Sequence, residues 1–315
     1  MLLRVRSITY LAAAINGYEF VDPRGRDLPR FSAGSHIAVR LGGGLLRDYS
    51  LWNDPAERRR YCIAVLRERD GEGSRQLHEA VRVGDPVEVS LPRNNFPLAE
   101  DARRHLFLAG GIGITPIMAM IAELRRRGGE FLLHYCTRSP EATAFRDELD
   151  FLAAQGRVRF HHDGGDPARG LDIAATLRDP QPGTHLYYCG PSGMMAAAAT
   201  AAAHWPAGTV HCEYFKGPAA RPPEALSEDR PFRVRLLRSG GEYEIPPGET
   251  IIDVLRSHGV AVKTSCELGY CGACLTPYRA GEPDHRDQIL SENDRERYLL
   301  ICCSRAKTPV LDLDL

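Results

Sequence analysis

The sequence lacks any long hydrophobic run and any excess of charge of one sign. A membrane-spanning helix needs about 20 consecutive apolar residues, and no such stretch occurs. The N-terminal residues also lack the apolar centre and cleavage pattern of a secretory signal. The formal net charge of −1 over 315 residues argues against a nucleic-acid or anionic-membrane partner. We therefore expect a cytoplasmic protein.

A disulfide framework is not indicated either. The nine cysteines are odd in number and the chain shows no secretory signal. Five of them crowd into the last fifty residues: Cys266, Cys271, Cys274, Cys302 and Cys303. Clustered thiols in a reducing compartment indicate a metal or redox centre.

The length predicts two or three domains. Residues 1–100 hold short apolar runs separated by Gly, Pro and Asp, which predicts a small antiparallel β-barrel. Strand and helix patterns alternate over residues 101–217, which predicts an α/β domain with a parallel sheet. Residues 218–231 are rich in Pro and charge and are predicted to be an interdomain linker. Residues 232–315 form a third domain that carries the cysteine cluster.

Helical spacing of apolar residues and flanking capping residues predict helices in each domain. The predicted helices are Ser74–Val81, Pro116–Arg127, Ala142–Ala154, Ser192–His204 and Ile251–His258.

The strongest chemical signal is the spacing of Cys266, Cys271 and Cys274, followed by a distant cysteine. This C-x₄-C-x₂-C…C pattern is typical of a plant-type [2Fe–2S] cluster, which needs four thiolates. Small residues in the loop let the backbone approach the cluster, and its amides can hydrogen-bond the sulfurs. The alternative is a structural zinc ion with four thiolates, although zinc sites usually pair two short cysteine knuckles.

The fourth ligand is Cys302 or Cys303. Residues Leu299–Ile301 are predicted to be a short strand, on which consecutive side chains point to opposite faces. Only one of the two cysteines would then reach the cluster. The separation from Cys274 favours Cys302, and Cys303 is interpreted as a packed thiol.

Two segments of the first domain suit a flavin. Arg47, Tyr49 and Ser50 lie close together, where Arg can neutralise a phosphate, Tyr can stack beside the ring and Ser can bond near N5. A glycine-led helix start at Gly73 and Ser74 offers backbone amides and a positive dipole end to a phosphate. The alternative for the first segment is an ordinary edge strand with an exposed arginine. The alternative for the second segment is a simple helix N-cap.

The segment around Gly111 and Gly113 follows a predicted strand and precedes a helix that begins near Thr115 and Pro116. Glycines in that place let a pyrophosphate approach the backbone. The pattern departs from the dinucleotide fingerprint, since Pro116 takes the third glycine's place. Arg138 stands where a ribose-binding acid is expected, which by itself hints at a 2′-phosphate and NADPH.

Cys189, Gly190 and Pro191 close the fourth strand of the same predicted sheet. Ligands of parallel sheets sit at the carboxyl ends of the strands. A small thiol and a glycine there leave room for a nicotinamide ring, and the alternative is an ordinary turn.

Taken in order, the segments R-x-Y-S, G-G-I-G-I-T-P, C-G-P and the cysteine motif resemble one family over essentially the whole chain. It is the phthalate dioxygenase reductase family, which includes the vanillate demethylase reductases within the ferredoxin–NADP reductase superfamily. The resemblance implies an FMN-binding β-barrel, an NADH-binding α/β domain and a C-terminal β-grasp ferredoxin domain. The family's use of FMN and mostly NADH outweighs the hint from Arg138.

The resemblance also implies the site residues. Ser50, Thr115 and Cys189 are predicted to be catalytic. The implied FMN-binding residues are Arg47, Tyr49, Ser50, Ala64, Val65, Leu66, Gly73, Ser74, Arg75, Gln76 and Phe215. The implied NADH-binding residues are Gly111, Gly113, Thr115, Arg138, Cys189, Gly190 and Pro191, and the cluster ligands are Cys266, Cys271, Cys274 and Cys302.

The implied activity is that of a monomeric, NADH-dependent reductase that serves a Rieske-type aromatic oxygenase or demethylase. Nicotinamides deliver two electrons as hydride and a ferredoxin cluster accepts one at a time, and a flavin can do both. One alternative keeps this electron chain but serves a cytochrome P450 or another oxygenase. Others are a zinc-stabilised adaptor that binds nucleotide without redox turnover, and a redox sensor that uses its exposed cysteines.

Overall fold

The computed structural model describes residues 1–69, 71–215, 229–262, 264, 269, 272, 274–287 and 290–315. The chain divides into two compact units, Met1–Glu213 and Tyr214–Leu315. Most of the predicted linker at 218–231 lies outside the described residues. Among the residues that are described, no helix is both long and apolar enough to cross a membrane.

The first unit begins with an antiparallel sheet whose strands follow the order β4-β3-β6-β1-β2-β5, with β7 paired to β3. The two ends of this path meet, because Leu51 after β4 forms an antiparallel bridge with Ile63 in β5. The sheet therefore curves round on itself, as the predicted barrel requires. Its strands are β1 (Leu2–Ala12), β2 (Ile15–Val21), β3 (Ser35–Arg40), β4 (Leu46–Ser50), β5 (Tyr61–Leu66), β6 (Pro86–Val89) and β7 (Arg93–Asn94).

The interior of this sheet is filled by alternate side chains of its strands. Ile37 and Val39 of β3 are fully buried while their neighbours are partly exposed, which is the period-2 pattern of a strand with one face on a core. In β5 the residues from Tyr61 to Val65 are all buried, so this strand is covered on both faces. Helix α1 (Glu72–Glu79) packs onto the core through Leu77.

The second part of the first unit is a parallel sheet with the strand order β10-β9-β8-β11-β12. The order reverses beside β8, so the carboxyl ends of β8 and β11 form the switch point where ligands of such sheets bind. The strands are β8 (Arg104–Gly110), β9 (Glu130–Thr137), β10 (Val158–His162), β11 (Thr184–Cys189) and β12 (Val210–Glu213). The helices are α2 (Ile114–Arg127), α3 (Arg146–Ala154), α4 (Ile173–Leu177) and α5 (Ser192–Ala201).

The predicted helix Ala142–Ala154 is shorter than expected. It begins at Arg146, because Phe145 has a left-handed backbone with φ 59°. This conformation accompanies a buried Phe145 ring that packs on Trp52 of the barrel at 4.9 Å between ring centroids. Burying an aromatic ring between the two sheets outweighs continuation of the helix toward its N-terminus.

The second unit contains a mixed sheet with the order β14-β13-β19-β15-β17 and a helix, α6 (Ile251–Ser257), packed on it. β13 and β19 are parallel and the other neighbours are antiparallel, which agrees with the β-grasp prediction. The strands of this sheet are β13 (Phe232–Leu236), β14 (Glu242–Ile245), β15 (Leu275–Ala280), β17 (Tyr298–Leu300) and β19 (Val310–Leu313). β16 (Pro283–Asp284) and β18 (Arg305–Ala306) pair with each other in a separate two-stranded sheet, and a short helix α7 (Glu292–Arg295) precedes β17.

Candidate flavin, nicotinamide and cluster sites

The start of helix α1 lies directly against Arg47 of β4. A Cβ atom added to Gly73 would stand 2.7 Å from Arg47 Cγ, so only glycine admits this approach. The N-cap residue is Gly71, which has no side chain that could accept a hydrogen bond from the first amides of the helix. An arginine beside uncapped amides fits a flavin phosphate, and the structure brings Arg47 and Gly73 of the predicted site together.

The strand end Ala64–Leu66 lies just beyond the Leu51–Ile63 bridge, at the end of the sheet's strand order. Arg67 donates its amide to Ala14 O at 2.7 Å, so the backbone groups of Val65 and Arg67 face β2. In an antiparallel strand the intervening groups of Ala64 and Leu66 point the other way. Such an edge can hydrogen-bond the polar rim of a flavin ring.

His78 links this strand to helix α1. Its Nε2 lies 2.9 Å from Val65 O, and its Nδ1 lies 3.3 Å from Asn16 Nδ2. Since Val65 O can only accept, Nε2 carries the proton and Nδ1 accepts from Asn16. His78 therefore couples the proposed phosphate helix to the proposed ring-binding strand.

Tyr49 is half-buried in β4. Burial is the main cause that raises the pKa of its phenol to about 12, and the nearby Arg47 lowers it in part. The hydroxyl is therefore neutral at physiological pH, and the ring offers an apolar face beside Arg47.

Ser50, the last residue of β4, reaches across to the parallel sheet. Its hydroxyl donates to Glu213 Oε2 at 3.2 Å. Glu213 ends β12 and lies directly opposite Cys189 in the register of β11. The hydrogen bond therefore joins the predicted flavin strand to the predicted nicotinamide end of the sheet.

Glu213 was not singled out as a site residue in the sequence. Its burial raises the pKa to about 8, the hydrogen bond from Ser50 lowers it in part, and Asp48 raises it further. The carboxyl group is therefore largely neutral at pH 7. A signal was available, because Glu213 is an acidic residue at the carboxyl end of a strand in a parallel sheet, which is where the ligands of such sheets bind.

The glycine turn and the C-G-P segment lie against each other at the switch point. A Cβ atom added to Gly113 would stand 2.5 Å from the Cys189 carbonyl carbon and 2.8 Å from the Gly190 nitrogen. One added to Gly110 would stand 2.6 Å from Pro191 Cδ. The backbone of the glycine turn therefore packs directly on the backbone of the C-G-P segment. The glycines that were predicted to receive a pyrophosphate are also needed for this close packing.

The other predicted nicotinamide residues differ in their surroundings. Gly111 has φ 52°, and a Cβ atom there would meet open space. The Thr115 hydroxyl is buried and donates to Ile112 O at 3.0 Å. Arg138 is exposed just after β9. The Cys189 thiol is fully buried, which raises its pKa, and Glu213 and Cys212 raise it further.

Phe215 falls in the second compact unit and is 42% exposed. Its predicted place beside the flavin stays a prediction.

In the second unit the structure describes two of the four predicted cluster ligands, while Cys266 and Cys271 lie outside the described residues. Cys274 and Cys302 are both buried, and their thiols are in hydrogen-bond contact. The amide of Gly269 also bonds the Cys302 thiol. Two adjoining thiols with an amide donor fit a thiolate-held iron whose sulfur ligand accepts a backbone hydrogen bond.

The predicted alternation of Cys302 and Cys303 on a strand is wrong. β17 ends at Leu300, and residues 301–303 form a turn in which the Cys303 amide donates to Leu300 O at 3.2 Å. The chain after this turn is tied to the start of α6 by the buried Arg305 guanidinium, which donates to Pro246 O at 3.0 Å and to Glu249 O at 2.5 Å.

Two family models match the chain. Residues 234–307 match the 2Fe-2S iron-sulfur cluster binding domain, and residues 107–200 match the oxidoreductase NAD-binding domain. The first match supports the iron–sulfur interpretation of the cysteine motif over the zinc alternative.

Named relatives cover almost the whole chain. The reductase subunit of tert-butanol monooxygenase / tert-amyl alcohol desaturase from Aquincola tertiaricarbonis is 48% identical over 321 residues, covering 99% of this chain and 95% of the relative. Phthalate dioxygenase reductase from Burkholderia cepacia is 44% identical over 315 residues, covering 99% and 97%.

A solved structure of phthalate dioxygenase reductase, described as a modular structure for electron transfer from pyridine nucleotides to [2Fe–2S], superimposes with a TM-score of 0.70. It is 43% identical and the match covers 100% of this chain and 98% of that one. An intact type IV self-sufficient cytochrome P450 monooxygenase matches with a TM-score of 0.80 and 38% identity, over 100% of this chain and 41% of that one. The chain is an NAD-binding, iron–sulfur oxidoreductase, and it belongs to the family of oxygenase reductase subunits that includes phthalate dioxygenase reductase.

Proposed function

We propose that this protein takes electrons from NADH onto FMN, passes them to a [2Fe–2S] cluster and delivers them to a Rieske-type oxygenase that acts on an aromatic substrate. The observation that carries the proposal is the hydrogen bond from Ser50 to Glu213, 3.2 Å long. It joins the end of the proposed flavin strand to the carboxyl end of β12, opposite Cys189 of β11. A bound flavin accepts hydride and releases electrons singly, which is the chemistry the two cofactor domains require.

The N-terminal sheet would hold the flavin through its own strands and helix. Arg47 and the first amides of α1 would bind the phosphate, and the backbone edge of Ala64–Leu66 would bind the ring. Gly73 is required because Arg47 packs on it. The other residues of this site are Tyr49, Ser50, Val65, Ser74, Arg75, Gln76 and Phe215, and FMN is preferred to FAD on family grounds.

The sheet from β8 to β12 would hold the nicotinamide nucleotide at the carboxyl ends of its strands. Gly111 and Gly113 would receive the pyrophosphate, and Cys189 with Gly190 would leave room for the ring. Thr115, Arg138 and Pro191 complete the proposed site. We expect NADH to be preferred over NADPH on family grounds, although Arg138 by itself hints at a 2′-phosphate.

Ser50, Thr115 and Cys189 are the proposed catalytic residues, and Glu213 joins them from the structure. The Glu213 carboxyl holds a proton at neutral pH because burial raises its pKa to about 8. It accepts from Ser50 and so orients that hydroxyl at the boundary of the two domains. The Cys189 thiol is small and is neutral because burial raises its pKa, so it leaves room for the ring without adding a charge.

The cluster would be held by Cys266, Cys271, Cys274 and Cys302. We also propose domain limits of 1–100, 101–217 and 232–315 with a linker at 218–231, a monomeric state and a cytoplasmic location. A cytochrome P450 is the second candidate partner, because a self-sufficient P450 carries a 38% identical region that matches this entire chain.

An anaerobic titration with NADH tests the proposal. The purified protein should show overlapping flavin and iron–sulfur absorption that bleaches with NADH, with a lower rate for NADPH. The reduced protein is then mixed with a Rieske oxygenase or a P450, and reoxidation is followed. Protein that binds flavin and iron but does not bleach with NADH would contradict the electron path.

A further inference from the structure

The turn after β17 supplies one thiol more than a [2Fe–2S] cluster needs. Four thiolates suffice for two irons, and the proposed ligand set already includes Cys302. On a strand, Cys303 would point to the opposite face from Cys302. Because residues 301–303 form a turn instead, that alternation does not apply to the two side chains.

The contacts of Cys303 bring its sulfur to the same place as that of Cys302. The two thiols are in hydrogen-bond contact. A Cβ atom added to Gly269 would stand 2.7 Å from Cys303 Sγ, so this sulfur touches the backbone of the cluster loop. The Cys302 thiol accepts a hydrogen bond from the backbone amide of the same Gly269, and it also contacts Cys274. The two neighbouring thiols therefore share one loop glycine.

The ordinary explanation for a second cysteine is packing in an apolar core. Cys303 does pack at the edge of the domain core, yet its sulfur faces polar and backbone groups. Its thiol donates to Leu300 O at 3.6 Å and adjoins Cys302 and Gly269.

We propose that Cys303 is a reserve ligand of the [2Fe–2S] cluster, which binds the iron otherwise held by Cys302 when Cys302 is lost. The proposal rests on the proposed ligand set. In a chain that lacks the Cys302 thiol, the Cys303 thiol would lose its proton to solvent and its sulfur would form the iron–sulfur bond that Cys302 otherwise forms, so no existing iron–sulfur bond is broken. The iron keeps its oxidation state, so no oxidant or reductant is needed.

Four proteins test the proposal: the wild type, Cys302→Ala, Cys303→Ala and the double variant. Iron and acid-labile sulfide per chain, visible circular dichroism and electron paramagnetic resonance of the dithionite-reduced protein are measured without turnover. Cys303→Ala should match the wild type. Cys302→Ala should keep at least about half of the iron with shifted resonance positions, and the double variant should fall below about a tenth.

The proposal is overturned if Cys302→Ala is as poor in iron as the double variant. If Cys303→Ala loses the cluster and Cys302→Ala keeps it, then Cys303 is the ordinary ligand and the proposed ligand set fails as well. Should Cys302→Ala not fold, Cys302→Ser is compared with Cys302→Ser/Cys303→Ala. Identical resonance spectra for those two proteins would also overturn the reserve role.

Discussion

The two redox sites of this chain are constructed in opposite ways. The site proposed for flavin and nicotinamide draws on two different sheets, and its central hydrogen bond joins residues 163 positions apart, Ser50 and Glu213. The cluster site rests on one short cysteine motif and one turn that contributes Cys302. The comparison teaches that a site carried by a contiguous motif can be recognised from spacing. A site assembled between sheets needs the tertiary structure.

The largest expected effect tests the cluster side of the comparison. Cys274→Ala removes a buried thiol in contact with Cys302, so the cluster should be lost. Electron transfer from NADH to cytochrome c should fall more than about 100-fold, while ferricyanide reduction, which the flavin supports, should persist. Iron content and both rates are measured. Loss of both activities together would mean that the two sites are not separable.

The next effect tests the packing at the switch point. Gly113→Ala places a methyl group against the backbone of Cys189 and Gly190, which should destabilise the protein by about 1–3 kcal/mol or more. Chemical denaturation gives the free energy of unfolding. The matched control is Gly193→Ala in α5, where nothing lies within 4 Å of the new methyl group. That change should be neutral or stabilising by up to about 1 kcal/mol.

A third prediction concerns the proposed phosphate contact of Arg47. Arg47→Gln removes a charge-assisted hydrogen bond, so the dissociation constant for FMN should rise roughly 10- to 100-fold. Equilibrium dialysis or flavin fluorescence measures it. Arg40→Gln is the control, because Arg40 pairs with Glu88 on the surface at 2.9 Å. An equal loss of affinity in both variants would rule out a specific phosphate role for Arg47.

The smallest effect concerns pH. The folded-state pKa of Glu213 is raised to about 8 from an ordinary value of 4.5, so its contribution to stability is full below pH 4.5 and is lost as pH rises through 8. Glu213→Gln cannot ionise. Its melting temperature relative to the wild type should therefore increase by a few degrees between pH 6 and pH 9, as measured by calorimetry. A difference in melting temperature that stays constant over that range would show that the pKa of Glu213 is not raised.

Much of the fold was predictable because its signals are local. The alternation of strands and helices after residue 101 predicted the parallel sheet, and the short apolar runs of residues 1–100 predicted the antiparallel sheet that includes Tyr61–Leu66. The helix before Ala154 was predicted too long, since the sequence pattern carries no sign that Phe145 packs on a ring of the other sheet. The turn at Cys302 and Cys303 was missed for a similar reason, because the chain after it is held by contacts to distant residues, such as that from Arg305 to Pro246 O.

The sequence by itself determined the cysteine motif, the glycine turn and the order of the domains, because each depends on residue type at short spacing. Only the tertiary structure decided that Glu213 meets Ser50 beside Cys189, and that Cys303 turns toward the cluster loop. Contacts between distant segments depend on how sheets pack and where strands stop. Burial then changes the chemistry of the groups brought together, as the raised pKa of Glu213 illustrates.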